Sequence, residues 1–501
     1  MRRILSLALA LLVVAALLGE LPAVAYGSSL HPEAGGDNLC LTLPAERTVV
    51  ARCGEGYLEE DSQGNLILHL KGSPYEMGYQ HGVLCKEGVE KMTHEYPQQL
   101  FPSLLGLPPS PRLLSLWPLF RNIGVNRCLA MEKYIPEEYR EEMRGIADGA
   151  GENVTYEDVL LLNEGIDATS SMLYPLLLSI GGEVVSVPFV FRNLVYLQRN
   201  PAAAGAASSF PLPACNEFVV FGNGTEDGRL FHGRDLMWNL AGLAQDYMLV
   251  RVAEPDEGYP FISTVLPGFV GTLDGMNSQG VTCAANLVLS RDCIPFRGRM
   301  GMPFIVRDVV QHSATLDEGI ERIRNAPRSV SWIYVISDAK IPDGAVVETS
   351  AHLVRVRAPE EEYRGQVEQE PCLVAATNHF INPTMKLTER GFSYYARAYG
   401  GGLNSEWRYN HFCAELLQRY GEINATGARE IIDFLHPPNY EHLAFKFRNP
   451  WYTANASQEV YGAVSLFDSS RLEMWALYGY YDRPWVHYNL TEELARDGEE
   501  D

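Results

Sequence analysis

Cys215 stands at the head of an alternating apolar run, and it carries the chemistry that this sequence best supports. Before it lies the proline-broken segment Pro211-Leu-Pro-Ala214. After it come Asn216-Glu-Phe-Val-Val-Phe-Gly222, a polar turn over Asn223–Gly228, and Arg229-Leu-Phe-His-Gly-Arg-Asp235. A thiol can attack an acyl carbonyl and form a thioester, provided that a base takes its proton. Cleavage after Ala214 would make Cys215 a new N-terminus carrying its own base. An α-amine titrates at about 7.7–8.0, which suits proton transfer near neutrality. A cysteine opening a strand is otherwise a core residue, so the surrounding residues must decide between the two roles.

The elements around Cys215 follow from residue patterning. Residues 26–62 read as a Gly- and Pro-containing leader, and Asn65–Leu70 alternates like a strand. Ser73-Pro74 opens a helix running to about Tyr96. Further helices are expected from Pro136 and after Thr155, where Thr155-x-x-Asp158 forms a cap. Residues 170–214 read as a connector rich in small residues. From Cys215 the texture turns to strands, expected at 217–222, 229–234, 246–252, 260–265, 270–276 and 280–288. Two helices follow at 303–313 and 316–325, then strands at 331–337, 344–349 and 352–357. Helices at 405–420 and 427–435 precede a strand pair near 459–466 and 471–478. This order fits a layered α+β body with two packed sheets better than a doubly wound parallel one.

Composition narrows the function classes. The chain has 501 residues, 46% of them apolar and 21% charged, and a net charge of −23. That is ordinary globular material. So acidic a chain speaks against nucleic acid or an anionic membrane surface as main partner, since both call for basic patches. Met1-Arg-Arg followed by an apolar run and Ala23-Val-Ala25 reads as a secretory signal over residues 1–25, the alternative being an uncleaved anchor. No other stretch is long and apolar enough to span a bilayer. The expectation is a secreted protein, extracellular or periplasmic, or lysosomal in a eukaryote. It would comprise a mostly helical segment 26–214 and a segment 215–501 sharing one core. In an oxidising compartment the nine cysteines allow eight to pair and leave one thiol over, with Cys40–Cys53 and Cys283–Cys293 as local candidates. Asn153, Asn223, Asn424, Asn455 and Asn489 head glycosylation sequons, used only in a eukaryotic host. His81, His232 and His379 are scattered and read as structural, and no metal or cofactor signature is present.

Several motifs in order make the chain resemble a known family. They are Gly72-Ser-Pro-Tyr-Glu-Met-Gly-Tyr-Gln-His-Gly82, Ile135-Pro136 with Gly145-Ile-Ala-Asp-Gly149, Cys215, and Gly233-Arg234. Pro267-Gly268, Gly275-Met-Asn277 with Gly280, Thr377-Asn-His-Phe380 and Ser405-x-x-Arg408 complete the set. Over about residues 65–480 the chain is similar to the isopenicillin-N acyltransferase family of self-processing cysteine N-terminal-nucleophile enzymes, and more distantly to choloylglycine hydrolases. The resemblance implies a four-layer αββα fold and cleavage between Ala214 and Cys215, with the two pieces staying associated. It implies that Arg234 holds the Cys215 thiolate or the amine geometry. Asn286 and Asn378 would donate to the oxyanion, each worth about 3–4 kcal/mol of transition-state stabilisation. Arg408 would brace the pocket. The alternatives for these residues are turn caps for the two asparagines and surface ion pairs for the two arginines. Relatives carry an Asp where this chain has Met237, and Asp235 is the candidate replacement, displaced by roughly 6–7 Å along a strand. The implied activity is hydrolysis or transfer of the acyl group of a small-molecule amide, without a cofactor. A phospholipase-B-like lipid hydrolase and an inactive binding protein are the alternatives.

Overall fold

The structure is a computed structural model. It describes residues 46–104, 114–177, 214–237, 243–389 except 360, 362, 364, 365 and 369, and residues 402–433, 462–479 and 484–496. The expected signal segment, Cys40 and most of the expected connector lie outside these residues.

Two sheets organise the chain. The larger has ten strands in the order β1-β2-β3-β6-β7-β8-β9-β10-β11-β12, and the smaller has six, β13-β4-β5-β14-β15-β16. Near the site they are β4 (Ala214–Gly222), β5 (Gly228–Met237), β6 (Leu249–Pro255), β7 (Phe261–Val265), β8 (Asp274–Asn277) and β9 (Val281–Leu287). Then come β10 (Trp332–Asp338), β11 (Asp343–Thr349), β12 (Val354–Arg357), β13 (Leu373–Ala376), β14 (Gly462–Asp468), β15 (Glu473–Tyr478) and β16 (Val486–Asn489). β4 and β5 form the hairpin expected from the polar turn, with Cys215 opposite Leu236, Asn216 opposite Asp235 and Glu217 opposite Arg234.

Strand alternation produces the layers. A strand sends successive side chains to opposite faces, so a strand apolar at every position must be covered twice. On β4, Val219 and Phe221 join Ile333 and Val335 of β10 and Val346 of β11 in one core between the sheets. Phe218 and Val220 point the other way, into a second core with Tyr409, Phe412 and Leu416 of the Gly402–Gln418 helix. On β10, Trp332, Tyr334 and Ile336 face a third core shared with the Met302–His312 and Leu316–Asn325 helices. The order helices, ten-stranded sheet, six-stranded sheet, helices is the four-layer αββα arrangement that the resemblance implies.

The first part of the chain is less helical than its sequence suggests. Within the expected leader, Arg47–Cys53 (β1) and Gly56–Asp61 (β2) form a hairpin, and Leu66–Gly72 (β3) extends it. β1 alternates half-buried and exposed residues, the mark of a one-sided edge strand, and Gly54 at φ +60° makes its turn. β3 then pairs in parallel with β6, so residues on both sides of Cys215 build one sheet. The helix expected to run to about Tyr96 breaks after Leu84 at Cys85, and the chain then stays helical through Lys86–Glu90, a wider π-helical turn at Lys91–Glu95 and Tyr96–Leu104. Its start is as expected: Ser73 and Glu76 form a reciprocal capping box ahead of Pro74.

Glycines of two sequence motifs explain one another here. The Pro74–Leu84 and Glu137–Ala150 helices touch backbone to backbone. A Cβ on Gly78 would lie 2.0 Å from the Glu142 carbonyl oxygen, and one on Gly145 would lie 2.2 Å from that of Tyr75. We expect Gly145→Ala to force the helices apart and cost about 1–3 kcal/mol. Calorimetry should show a lowered Tm. An unchanged Tm would mean that this crossing is not close in solution.

Candidate active site

Strand direction decides what Cys215 meets. Its side chain shares the inter-sheet face of β4 with Glu217 and Val219, while Asn216 and Phe218 face the helices. Across the hairpin, Arg234 and Leu236 share the Cys215 face, and Asp235 shares that of Asn216. Asn286 comes from β9, paired with Ile333 and so also directed between the sheets. The structure brings Cys215, Arg234, Asn286, Asn378 and Arg408 into one connected group, all deeply buried.

Arg234 is the hub on the inner face. Its Nη2 donates to the Ala285 carbonyl at 2.6 Å and lies 3.5 Å from Cys215 Sγ, and its Nη1 donates to Asn286 Oδ1 at 2.7 Å. Its Nε approaches Glu217 Oε1 at 3.0 Å as an ion pair without an aligned hydrogen bond. Burial works against the Arg234 charge, yet the neighbouring Cys215 and Glu217 hold its proton more tightly than usual.

Arg408 is the hub on the other side. Its Nη1 donates to the Cys215 carbonyl at 2.8 Å and to Asn216 Oδ1 at 2.5 Å, and its Nη2 donates to Asn378 Oδ1 at 2.8 Å. Asn378 Oδ1 also accepts from the Cys215 backbone nitrogen at 2.7 Å, and its Nδ2 donates to the Leu287 carbonyl at 2.7 Å. Asn378 therefore addresses the nitrogen of Cys215, the future amine of the expected cleavage, where the resemblance implies a donor to the oxyanion. Asn286 Nδ2 donates to Glu217 Oε2 at 3.2 Å, with its second hydrogen left for another acceptor. Ser405 lies three residues before Arg408, on the same side of its helix, and its Oγ accepts from the Asn378 backbone nitrogen at 2.8 Å. Burial of Arg234 at 1% and Arg408 at 2% exposure rules out the surface-ion-pair reading of both.

Asp235 is wholly buried and reaches Cys215 indirectly. Its Oδ2 accepts from Asn216 Nδ2 at 2.7 Å, and Asn216 in turn accepts from Arg408. Met237 pairs with Ala214, so the two-residue shift carries the carboxylate from opposite the residue before the nucleophile to opposite the residue after it.

Two residues of this group escaped the sequence reading. Glu217 and Asn216 lie immediately beyond Cys215 in a strand with buried side chains, and a charged residue at an inward position was the available signal. Burial, only partly offset by Arg234, pushes the Glu217 carboxyl up to about 8.

The histidines behave as structural residues. His81 Nε2 accepts from Gly268, His232 Nδ1 meets Ser337 Oγ, and His379 Nδ1 meets Ser405 Oγ. Burial pushes each of them down to about 3, so all three are neutral in the working range. Glu59, His69 and Glu493 bring their ligand atoms together, but Arg47 and Arg496 ion-pair with the two carboxylates and supply the positive charge that a cation would.

The cysteine pairing differs from expectation. Among the described residues, Cys53, Cys85, Cys128, Cys215, Cys283, Cys293, Cys372 and Cys413 are all free thiols. Cys283 is locked in β9 among helix-facing core residues, while Cys293 lies beyond the end of that strand, which is why proximity in sequence did not make a pair. Among the described residues no helix is long and apolar enough to cross a membrane.

The chain belongs to the acyl-coenzyme A:6-aminopenicillanic acid acyl-transferase family, whose model matches residues 223–399. An uncharacterized protein of Archaeoglobus fulgidus is 35% identical over 467 residues, covering 88% of this chain and 68% of its own length. Protein dcd1B of Dictyostelium discoideum is 25% identical over 317 residues, 61% of this chain and 54% of that protein. Among solved structures, an N-acylethanolamine-hydrolyzing acid amidase ortholog from Caenorhabditis elegans shows 14% identity at a TM-score of 0.33, covering 51% of this chain and 93% of that one. A conjugated bile acid hydrolase from Clostridium perfringens shows 11% identity at a TM-score of 0.36, covering 57% and 95%.

Asp235→Asn tests the Asp235–Asn216–Arg408 relay. We expect kcat to fall about tenfold, equivalent to one hydrogen bond of about 1.4 kcal/mol, with KM little changed. Unchanged turnover in a folded variant would remove Asp235 from the site.

Proposed function

We propose that the chain is an exported amide hydrolase that works through a Cys215 thioester after cutting itself between Ala214 and Cys215. The observation that carries this reading is the double hold on one residue: Arg234 beside the Cys215 sulfur and Asn378 on its nitrogen. A core cysteine needs neither. The arrangement supports activation of a nucleophile more than a ligand-binding role that has lost chemistry.

In the intact chain the Cys215 nitrogen is a peptide amide. Attack of the sulfur on the Ala214 carbonyl, with cleavage of the C–N bond, would leave an ester at the sulfur and free the amine. Arg408 on the Cys215 carbonyl and Asn378 on the nitrogen fix the peptide for that step. Water then releases the acyl segment. In turnover, the amine accepts the thiol proton and the sulfur attacks the substrate carbonyl. The remaining Asn286 hydrogen can reach the oxyanion, and the amine returns its proton to the leaving nitrogen as the C–N bond breaks. Water hydrolyses the thioester by the same proton path. Hydrolysis is favoured over transfer from an acyl-coenzyme A, because an exported enzyme meets little of that donor and abundant water.

Processing has a simple readout. Denaturing gels should show pieces of about 189 and 287 residues, for 26–214 and 215–501, that remain together natively. Cys215→Ser should process slowly and lose nearly all turnover, because an alkoxide is far harder to form than a thiolate. A full-length mature chain with full activity, or an active Cys215→Ala variant, refutes this function.

A further inference from the structure

Among the described residues, the inner face of the site holds more acids than cations. Cys215 on β4, Glu217 on β4 and Asp274 on β8 all act on the single Arg234 guanidinium. The other titratable groups here are His232 on β5, buried and held neutral, Cys283 on the helix-facing side of β9, also buried and neutral, and, once the chain is cut, the α-amine of Cys215 itself. Two carboxylates and a thiolate around one guanidinium would leave buried negative charge uncompensated, which is costly away from water. When Cys215 is a thiolate, one of the carboxyls therefore keeps its proton.

Hydrogen bonding selects which one. Burial pushes the Asp274 carboxyl up, but it is opposed by hydrogen bonds accepted from the Thr264 backbone nitrogen at 3.2 Å, from Thr264 Oγ1 at 2.5 Å and from Ser465 Oγ at 2.9 Å, each of which favours its ionised form. Among the described residues Glu217 accepts only from Asn286 Nδ2 at 3.2 Å, and it meets Arg234 Nε without alignment. We propose that Glu217 is a positioning residue that holds its proton in the working enzyme, leaving the Arg234 charge to the Cys215 thiolate while bracing Arg234 and Asn286. This inference rests on the thioester reading above. It gives the enzyme an upper pH limit of its own. As Glu217 ionises, it competes with the sulfur for Arg234, and the thiolate becomes harder to form. The upward displacement of the Glu217 carboxyl to about 8 is consistent with that placement.

The test reads the thiol and needs no substrate. The purified, processed protein is treated with iodoacetamide from pH 5 to 10, and the rate at Cys215 is followed by peptide mass spectrometry, since Cys53, Cys293 and Cys372 are half-buried free thiols that can also react. In the wild type we expect Cys215 reactivity to rise in two steps spread across the Glu217 titration. Glu217→Gln mimics the neutral acid. It should match the wild type near pH 6, lack the step that belongs to Glu217, and react about threefold to tenfold faster at pH 9. Glu217→Ala should react more slowly throughout, because Arg234 and Asn286 lose their brace. A Glu217→Gln to wild-type ratio that is constant with pH would overturn the proposal, as would a Glu217→Gln variant as slow as Glu217→Ala. So would a single-step wild-type profile, a measurement that stands even if a variant fails to fold. If Cys215 reacts no faster than Cys53, Cys293 and Cys372, the thioester reading fails and Glu217 with it. If Cys215 is selectively reactive but indifferent to residue 217, only the proposal about Glu217 falls.

Discussion

A guanidinium enclosed between two sheets is the constraint on which this structure turns. Arg234 brings a charge into a space otherwise filled by Val219, Ile333, Val335 and Val346, and such a charge persists there only when its donors are matched. The match draws on two further strands: the Ala285 carbonyl and Asn286 on β9, and Glu217 and the cysteine sulfur on β4. The two sheets must therefore meet in one register for the charge to be accommodated. The setting of the Cys215 sulfur and the packing of the sheets are satisfied by the same set of bonds, so this group of residues is a part of the core and not an addition to its surface.

Arg408 sets the complementary constraint from the opposite face of β4. It gathers the Cys215 carbonyl and Asn216 from β4 and Asn378 from a distant part of the chain. One residue, Cys215, is thus held by its sulfur from one side of the sheet and by its backbone from the other. An ordinary strand residue is held only by its ladder bonds. The additional restraint limits both the torsion of the thiol and the direction of the nitrogen, which is the kind of preorganisation that nucleophilic catalysis demands.

Much of this was legible in the sequence, and the failures have physical causes. The β4–β5 hairpin could be read because a polar turn separates two alternating runs, and the helix starts at Ser73 and Thr315 because their caps are local. Cys215, Arg234, Asn286, Asn378 and Arg408 were found through motif order. What they bond to could not be, since Asn378 meets Cys215 across 163 positions. β1 was missed because its burial alternates but its residue types do not, Val50 standing on the exposed side, and β13 because its four residues are too short to show a period. Glu217 was passed over as one polar residue in an apolar strand, although burial makes it the least ordinary group there. The cysteine pairing erred because sequence proximity says nothing about which face of a strand a sulfur takes.

The parallel seam between β3 and β6 has a consequence for the lifetime of the molecule. It joins chain from before Cys215 to chain from after it within a single sheet. While the backbone is continuous, that seam closes as an intramolecular event. Were the chain cut at Ala214–Cys215, the same seam would become an interface between two polypeptides, and its reformation after unfolding would depend on their concentration. The durability of such a protein would be a matter of how slowly it opens, not of where its folding equilibrium lies.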